Sequence, residues 1–159
     1  MKHQLDAKDQ AILEILQQDS TISVKEIGER VGLSFTPTYE RIKNLEKNQV
    51  IMKYVALVDR FKIGVQIVVY CNVTLKEQSK VALDAFEQTI VAIPQVQEVI
   101  SLSGNYDYML KIIAEDITSY NDFVVNVISN IPNIGQYHSS IVLNETKKET
   151  AYMLPKVTS

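Results

Sequence analysis

The sequence predicts an α+β protein, an N-terminal winged helix-turn-helix followed by a ferredoxin-like βαββαβ domain. Two observations carry this. Apolar residues before residue 50 recur at the one-face spacing of helices. Beyond Gly64, runs rich in Val, Ile and Tyr alternate with helical patterns in the order β-α-β-β-α-β. The predicted division is a head over residues 1–58, a charged hinge over 59–64 and a second domain over 65–159.

Asp6 is a plausible N-cap for the first helix, because its carboxylate can accept an orphan backbone N–H. Ala11, Ile12, Ile15 and Leu16 follow on one face, and Asp19-Ser20-Thr21 interrupts them. Ser23 with Glu26 reads as a capping box opening a helix whose apolar face is Val24, Ile27 and Val31. Gly32 ends it, since glycine tolerates a left-handed backbone. Ser34 is expected to cap a third helix, with Pro37 in its first turn, where a missing N–H costs nothing. Around Ile42 this helix buries Thr38, Leu45 and Gln49, with Tyr39 at the margin. Thr36, Pro37, Glu40, Lys43, Asn44 and Lys47 fall on the far side and Arg41 on the flank. The β-branched stretch 50–58 is expected as a hairpin or wing.

In the second part, strands are expected over 65–75, 96–102, 106–113 and 134–143. Helices are expected over 76–93, ended by Pro94, and 117–131, ended by Pro132. Gly104-Asn105 is a hairpin signal, because both residues tolerate positive φ. The tail from residue 144 is polar, with an apolar patch at 151–154 that suggests an edge strand.

The bulk properties narrow the function classes. At 46% hydrophobic residues the 159-residue chain is globular rather than disordered. No apolar run approaches the ~20 residues of a membrane helix, and residues 1–9 lack a signal core, so a cytoplasmic location without a membrane partner is expected. Cys71 reads as a buried reduced thiol. His3 and His138 have no second ligand at metal spacing, and no phosphate loop or nucleophile motif is present. No metal, no cofactor and no enzymatic activity are therefore expected.

A glycine turn between two short helices is the mark of a DNA-binding helix-turn-helix, whose third helix enters the major groove of double-stranded DNA. The outward chemistry of this third helix suits that role. Arg41, Lys43 and Lys47 can neutralise phosphates, Thr36, Asn44 and Arg41 can reach base edges, and the exposed turn at Ser34 offers backbone N–H groups. The bland alternative is a solvated face on a three-helix bundle. The net charge of -3 is distributed unevenly, about +1 over residues 1–62 and -4 over the rest. Such a head binds DNA weakly alone and gains from presenting several copies at once.

Val31-Gly32-Leu33-Ser34, Thr36-Pro37, Glu40-Arg41-Ile42 and Leu45-Glu46 resemble the signature of the leucine-responsive regulatory protein/AsnC (feast/famine) family. So do Leu5-Asp6, Asp9 and Ile12-Leu13 at the start, and Ser103-Gly104-Asn105-Tyr106-Asp107-Tyr108 in the second half. Phe35 departs from the pattern, since the family commonly has proline there; its ring lies near the expected DNA surface, to touch a thymine methyl or pack under the wing. The resemblance implies a transcription regulator whose second domains pair into dimers, often assembling into octameric rings. It also implies a small effector, typically an amino acid, bound at the seam between dimers.

Read physically, backbone N–H groups from Gly104 to Tyr106 can hold a carboxylate, and Asp107 can pair with an ammonium. Leu102 and Tyr106 would wall the site, with Asn105 in the turn between them, and a neighbouring subunit would contribute Gln136, Ser139 and Ser140. The competing reading of these residues is an ordinary turn with a locally paired aspartate. The runner-up function is a nucleoid-type architectural protein that binds DNA without effector control.

Overall fold

The computed structural model describes residues 5–155. The chain divides into two compact units, the segment up to Leu57 with the tail from Thr146, and Val58–Glu145.

The first unit is built on α1 (Ala7–Gln18), α2 (Val24–Val31) and α3 (Phe35–Lys47). Their inward residues Ile12, Leu13, Ile27, Val31, Ile42 and Leu45 form one buried cluster, as the helical spacing requires. The complete capping box lies on α1. Asp6 accepts the Asp9 N–H at 2.8 Å while the Asp9 carboxylate accepts the Asp6 N–H at 3.2 Å. At α2 only half of the expected box forms. Ser23 accepts the Glu26 N–H, but the Glu26 side chain turns to Arg30, 2.7 Å away. Gly32 ends α2 in the left-handed region, φ 69°.

Two contacts fix α3 against its neighbours. A Cβ at Gly28 would stand 2.7 Å from the Leu33 carbonyl oxygen and 2.9 Å from Thr38 Oγ1, so the absence of a side chain is what lets α2 and α3 approach. Thr38 is fully buried, and its hydroxyl donates to the Ser34 carbonyl at 2.8 Å. On the other flank, Arg41 Nη1 lies 2.6 Å from Asp6 Oδ2 and 2.7 Å from Asp9 Oδ1, tying α3 to the capping box of α1. The Asp6 carboxyl is held below its ordinary value by the Asp9 backbone N–H and then by Arg41.

Three expectations for this unit are corrected. The N-cap of α3 is Ser34 by backbone, but its side chain makes no capping bond. Gln49 lies beyond the end of α3, exposed and at φ 56°, rather than on its buried face. No hairpin forms over 50–58; residues 52–58 adopt no regular element, and Met52, Val55 and Leu57 are exposed. A strand needs a partner for its backbone groups, and the chain brings none to this stretch.

The tail behaves differently from the edge strand anticipated at 151–154, because it joins the helical unit. Leu154 packs against the apolar cluster. The Gln17 amide pairs with both backbone groups of Tyr152, accepting its N–H at 2.7 Å and donating to its carbonyl at 3.2 Å.

The second unit is an antiparallel sheet in the order β2-β3-β1-β4. It comprises β1 (Ile67–Leu75), β2 (Val96–Ser101), β3 (Tyr108–Ala114) and β4 (Ile134–Ile141). Helices α4 (Lys80–Val91) and α5 (Ile117–Asn126) supply the other half of the core. Val69, Cys71, Val73, Leu110 and Ile112 point into that core with Phe86, Ile90, Tyr120 and Phe123. Strand alternation leaves Tyr70, Asn72 and Thr74 of β1 with Met109, Lys111 and Ile113 of β3 on the opposite, half-buried face. The second helix stops earlier than its apolar pattern suggests. Val127 breaks it, and a 3-10 turn over Ile128–Asn130 follows. The β2–β3 connection spans residues 102–107 rather than a two-residue Gly-Asn turn. It is closed by the Leu102 N–H on the Asp107 carbonyl, and it uses positive φ at Gly104 (134°) but not at Asn105.

Gly28→Ala tests the helix contact. Alanine gains about 1 kcal/mol in helix propensity, but overpacking against a backbone oxygen costs about 1–3 kcal/mol. We expect a net loss, read as faster hydrogen exchange at α2 and α3 amides with β1 and β3 unchanged. Arg41→Gln is expected to destabilise the head by roughly 1 kcal/mol at neutral pH, since the pair is partly exposed. Because folding lowers the pKa of Asp6, its contribution is full above the ordinary value of 3.8 and is lost as pH falls through the lowered one. In Arg41→Gln the part owed to the guanidinium disappears, so head stability followed through the α3 amides should fall less steeply below pH 4.

Candidate DNA-binding face and effector loop

The outward side of α3 is more restrained than its charge pattern suggests. Arg41 is occupied by Asp6 and Asp9, and its pKa rises under those two carboxylates. Lys43 Nζ lies 2.6 Å from Glu46 Oε2, and the Tyr54 hydroxyl donates to the other oxygen of Glu46 at 3.1 Å. This lowers the Glu46 pKa, while desolvation and then the Glu46 carboxylate push the Tyr54 phenol up to about 12. Lys47 is exposed and has no ion pair among the described residues. Thr36 and Asn44 are exposed, and Pro37 is half-buried in the first turn.

Phe35 and Tyr39, one turn apart, are 57% and 44% exposed. Their rings stack at 6.1 Å between centroids and 9° between planes. The Lys43 ammonium stands 5.6 Å from the Tyr39 ring centre. Residues 35, 39 and 43 thus make one continuous outward row. Sequence reasoning put Tyr39 at the margin of the buried face and missed it as part of the row; the i, i+4 spacing from Phe35 was the available signal.

At the end of the sheet where β2 and β3 join, the structure brings together the loop 102–107, the end of β1 and the start of β4. The Asp107 N–H donates to Val73, and its Oδ2 accepts the Leu75 N–H at 2.7 Å. Oδ1 has a longer contact, 3.4 Å to Gln78 Nε2. Asp107 therefore anchors the loop to β1, and Gln78 is a neighbour that sequence reasoning did not name. Leu102, Gly104 and Asn105 are exposed, with open space beside Gly104. Tyr106 meets His138 edge to face at 5.7 Å, which places the loop beside β4.

Gln136 pairs with Thr74 at the same end and lines a depression of about 410 Å³ with Ser129, Ile134, Gly135, Tyr137 and His138. Asn133, at φ 70°, exchanges both side-chain hydrogen bonds with the Glu77 backbone and holds this corner. Gly135 packs closely here, where a Cβ would lie 3.2 Å from the Thr74 carbonyl oxygen. Ser139 and Ser140 are not gathered with the loop. They lie three and four residues along β4 from Gln136, roughly 10–13 Å at about 3.3 Å per residue, and Ser139 is hydrogen-bonded to Tyr120. Cys71 is buried, and desolvation raises its thiol pKa, which suits a core residue. No cluster of metal-ligating side chains occurs among the described residues, and no helix among them is long and apolar enough to cross a membrane.

Comparison with known proteins gives a consistent answer for both units. Residues 5–46 match the AsnC-type helix-turn-helix domain, and residues 68–152 match the Lrp/AsnC ligand binding domain. The chain is 35% identical to the transcriptional regulator AzlB of Bacillus subtilis over 91% of its length and 92% of the relative's. It is also 35% identical, with the same coverage, to the leucine-responsive regulatory protein of Rhizobium meliloti. Among solved structures, an AsnC family transcriptional regulator from Agrobacterium tumefaciens superposes with a TM-score of 0.89 at 33% identity, covering 94% of this chain and 97% of that one. A Neisseria meningitidis regulator solved as an L-methionine complex gives 0.90 at 28% identity, with the same coverage. With a helix-turn-helix on one unit and a ligand-binding βαββαβ fold on the other, the chain belongs to the Lrp/AsnC family of DNA-binding transcription regulators.

Proposed function

We propose that this regulator binds specific double-stranded DNA through α3 and responds to a small effector, an amino acid, held at the loop 102–107. The observation that carries the effector reading is the loop itself. Gly104 leaves its backbone open to close approach, and Asp107 keeps one carboxylate oxygen without a short hydrogen bond. The methionine complex of the Neisseria relative supports the ligand class. In this reading the N–H groups around Gly104 to Tyr106 receive the ligand carboxylate. Asp107 receives its ammonium, Asn105 belongs to the turn that holds the carboxylate, and Leu102 and Tyr106 shield the side chain. Gln136, Ser139 and Ser140 come from a neighbouring subunit, which suits the separation of the two serines from the loop within one chain.

The protein acts as a homodimer that assembles further, to an octamer, in the cytoplasm and without catalysis. The apolar residues exposed over 52–58 and the half-buried sheet face with Tyr70, Met109 and Ile113 support self-association. Effector binding shifts DNA affinity by favouring one arrangement of the assembly. The architectural alternative draws little support from a head of nearly neutral net charge whose α3 cations Arg41 and Lys43 are ion-paired, because non-specific affinity comes from phosphate charge.

Asp107→Asn tests the site without removing the acceptor that Leu75 uses. Thermal stabilisation across the twenty amino acids should identify at least one that raises the melting temperature of wild type and fails to raise that of Asp107→Asn. Equal shifts in both proteins would remove Asp107 from the site. On DNA, Lys47→Ala should reduce the slope of log K against log salt by about 0.9 for each engaged head. Arg41→Ala should weaken binding through the position of α3 while leaving that slope unchanged, and a slope change of the same size would make Arg41 a phosphate contact.

A further inference from the structure

We propose that the Phe35–Tyr39 row on α3 reads thymine C5-methyl groups in the major groove, so that A·T pairs at defined positions form part of the sequence this regulator recognises. The inference rests on the reading of α3 as the helix that enters the groove. Within that reading, the first turns of such a helix face the base edges, and those turns are where Phe35 and Tyr39 lie.

Three observations point to a methyl rather than a hydrogen-bonding edge. First, Arg41 is withdrawn. A guanidinium reads guanine by offering two donors to O6 and N7, but this one is engaged by two carboxylates at 2.6 and 2.7 Å. Second, the row is exposed and ordered at once. Both rings are about half accessible and lie in nearly parallel planes. An i, i+4 aromatic contact stabilises a helix by only about 0.2–0.5 kcal/mol, which is a small return for exposing two large apolar faces to water. Third, the row runs into the Lys43 ammonium. That ammonium is itself paired with Glu46 at 2.6 Å, so the row presents an apolar surface rather than a free charge to the base edges. Among base edges in the major groove, the thymine methyl is the apolar one. Thr36, exposed beside Phe35, supplies a hydroxyl to a neighbouring base.

The test uses the full-length protein and a duplex selected by it from a random-sequence pool. Thymines in the selected duplex are replaced one at a time by deoxyuridine, which removes the methyl and leaves the pairing edge intact. Wild type should lose about fourfold in affinity for each contacted methyl, the value of one buried carbon, at one or two positions per half-site. Phe35→Ala and Tyr39→Ala, singly, should bind the thymine duplex more weakly and lose the discrimination at one position each. Equal wild-type affinity for every thymine and deoxyuridine duplex would overturn the proposal while leaving DNA reading by α3 intact. A deoxyuridine penalty that persists in Phe35→Ala/Tyr39→Ala would also overturn it. If no sequence is enriched over random DNA, the reading of α3 fails and the proposal with it.

Discussion

The close approach of α2 and α3 at Gly28 is the constraint on which the head depends. With no side chain at that position, the Leu33 carbonyl and the buried Thr38 hydroxyl come within the distance a Cβ would occupy. Thr38 then satisfies its own polar group on the Ser34 carbonyl, so a buried hydroxyl costs little there. The crossing set by this contact turns the opposite side of α3 outward as a unit. Arg41 holds the flank to Asp6 and Asp9, which already cap α1, so one cluster of three charges both starts a helix and braces another. The outward row of Phe35, Tyr39 and Lys43 is therefore backed by rigid packing behind it.

This arrangement gives physical meaning to a nearly neutral DNA-binding head. Arg41 and Lys43 are ion-paired within the protein, and the carboxylate of Glu46 is paired with Lys43 and hydrogen-bonded by the Tyr54 hydroxyl. A head of nearly neutral net charge whose α3 cations Arg41 and Lys43 are paired draws less from counterion release than a basic one. Its affinity then comes from shape, base contacts and the number of heads presented together. In the proposed assembly, the number of heads and the affinity of each are thus linked by arithmetic.

Much of this was legible in the sequence because burial follows period. The spacing of Ile12, Ile27, Ile42 and Leu45 located three helices, Thr38 was placed on a buried face despite its hydroxyl, and the β-α-β-β-α-β order gave the second fold. What stayed hidden depends on partners distant in the chain. The spacing of the helix does not reveal that Asp6 and Asp9 hold Arg41, and the turn sequence does not reveal that Leu75 and Gln78 share Asp107. The tail patch looked like a strand because its composition is apolar, but Gln17 and the helical cluster compete for it. The stretch over 52–58 has strand composition and no strand, since pairing requires a second edge that sequence cannot supply.

The most direct measurement is a structure of the protein bound to a duplex selected from random sequence. It should show the Phe35 and Tyr39 rings against thymine methyls in the major groove, with the Arg41 guanidinium still on Asp6 and Asp9. Arg41 released from those carboxylates onto a base or phosphate, with the rings away from the groove, would contradict it.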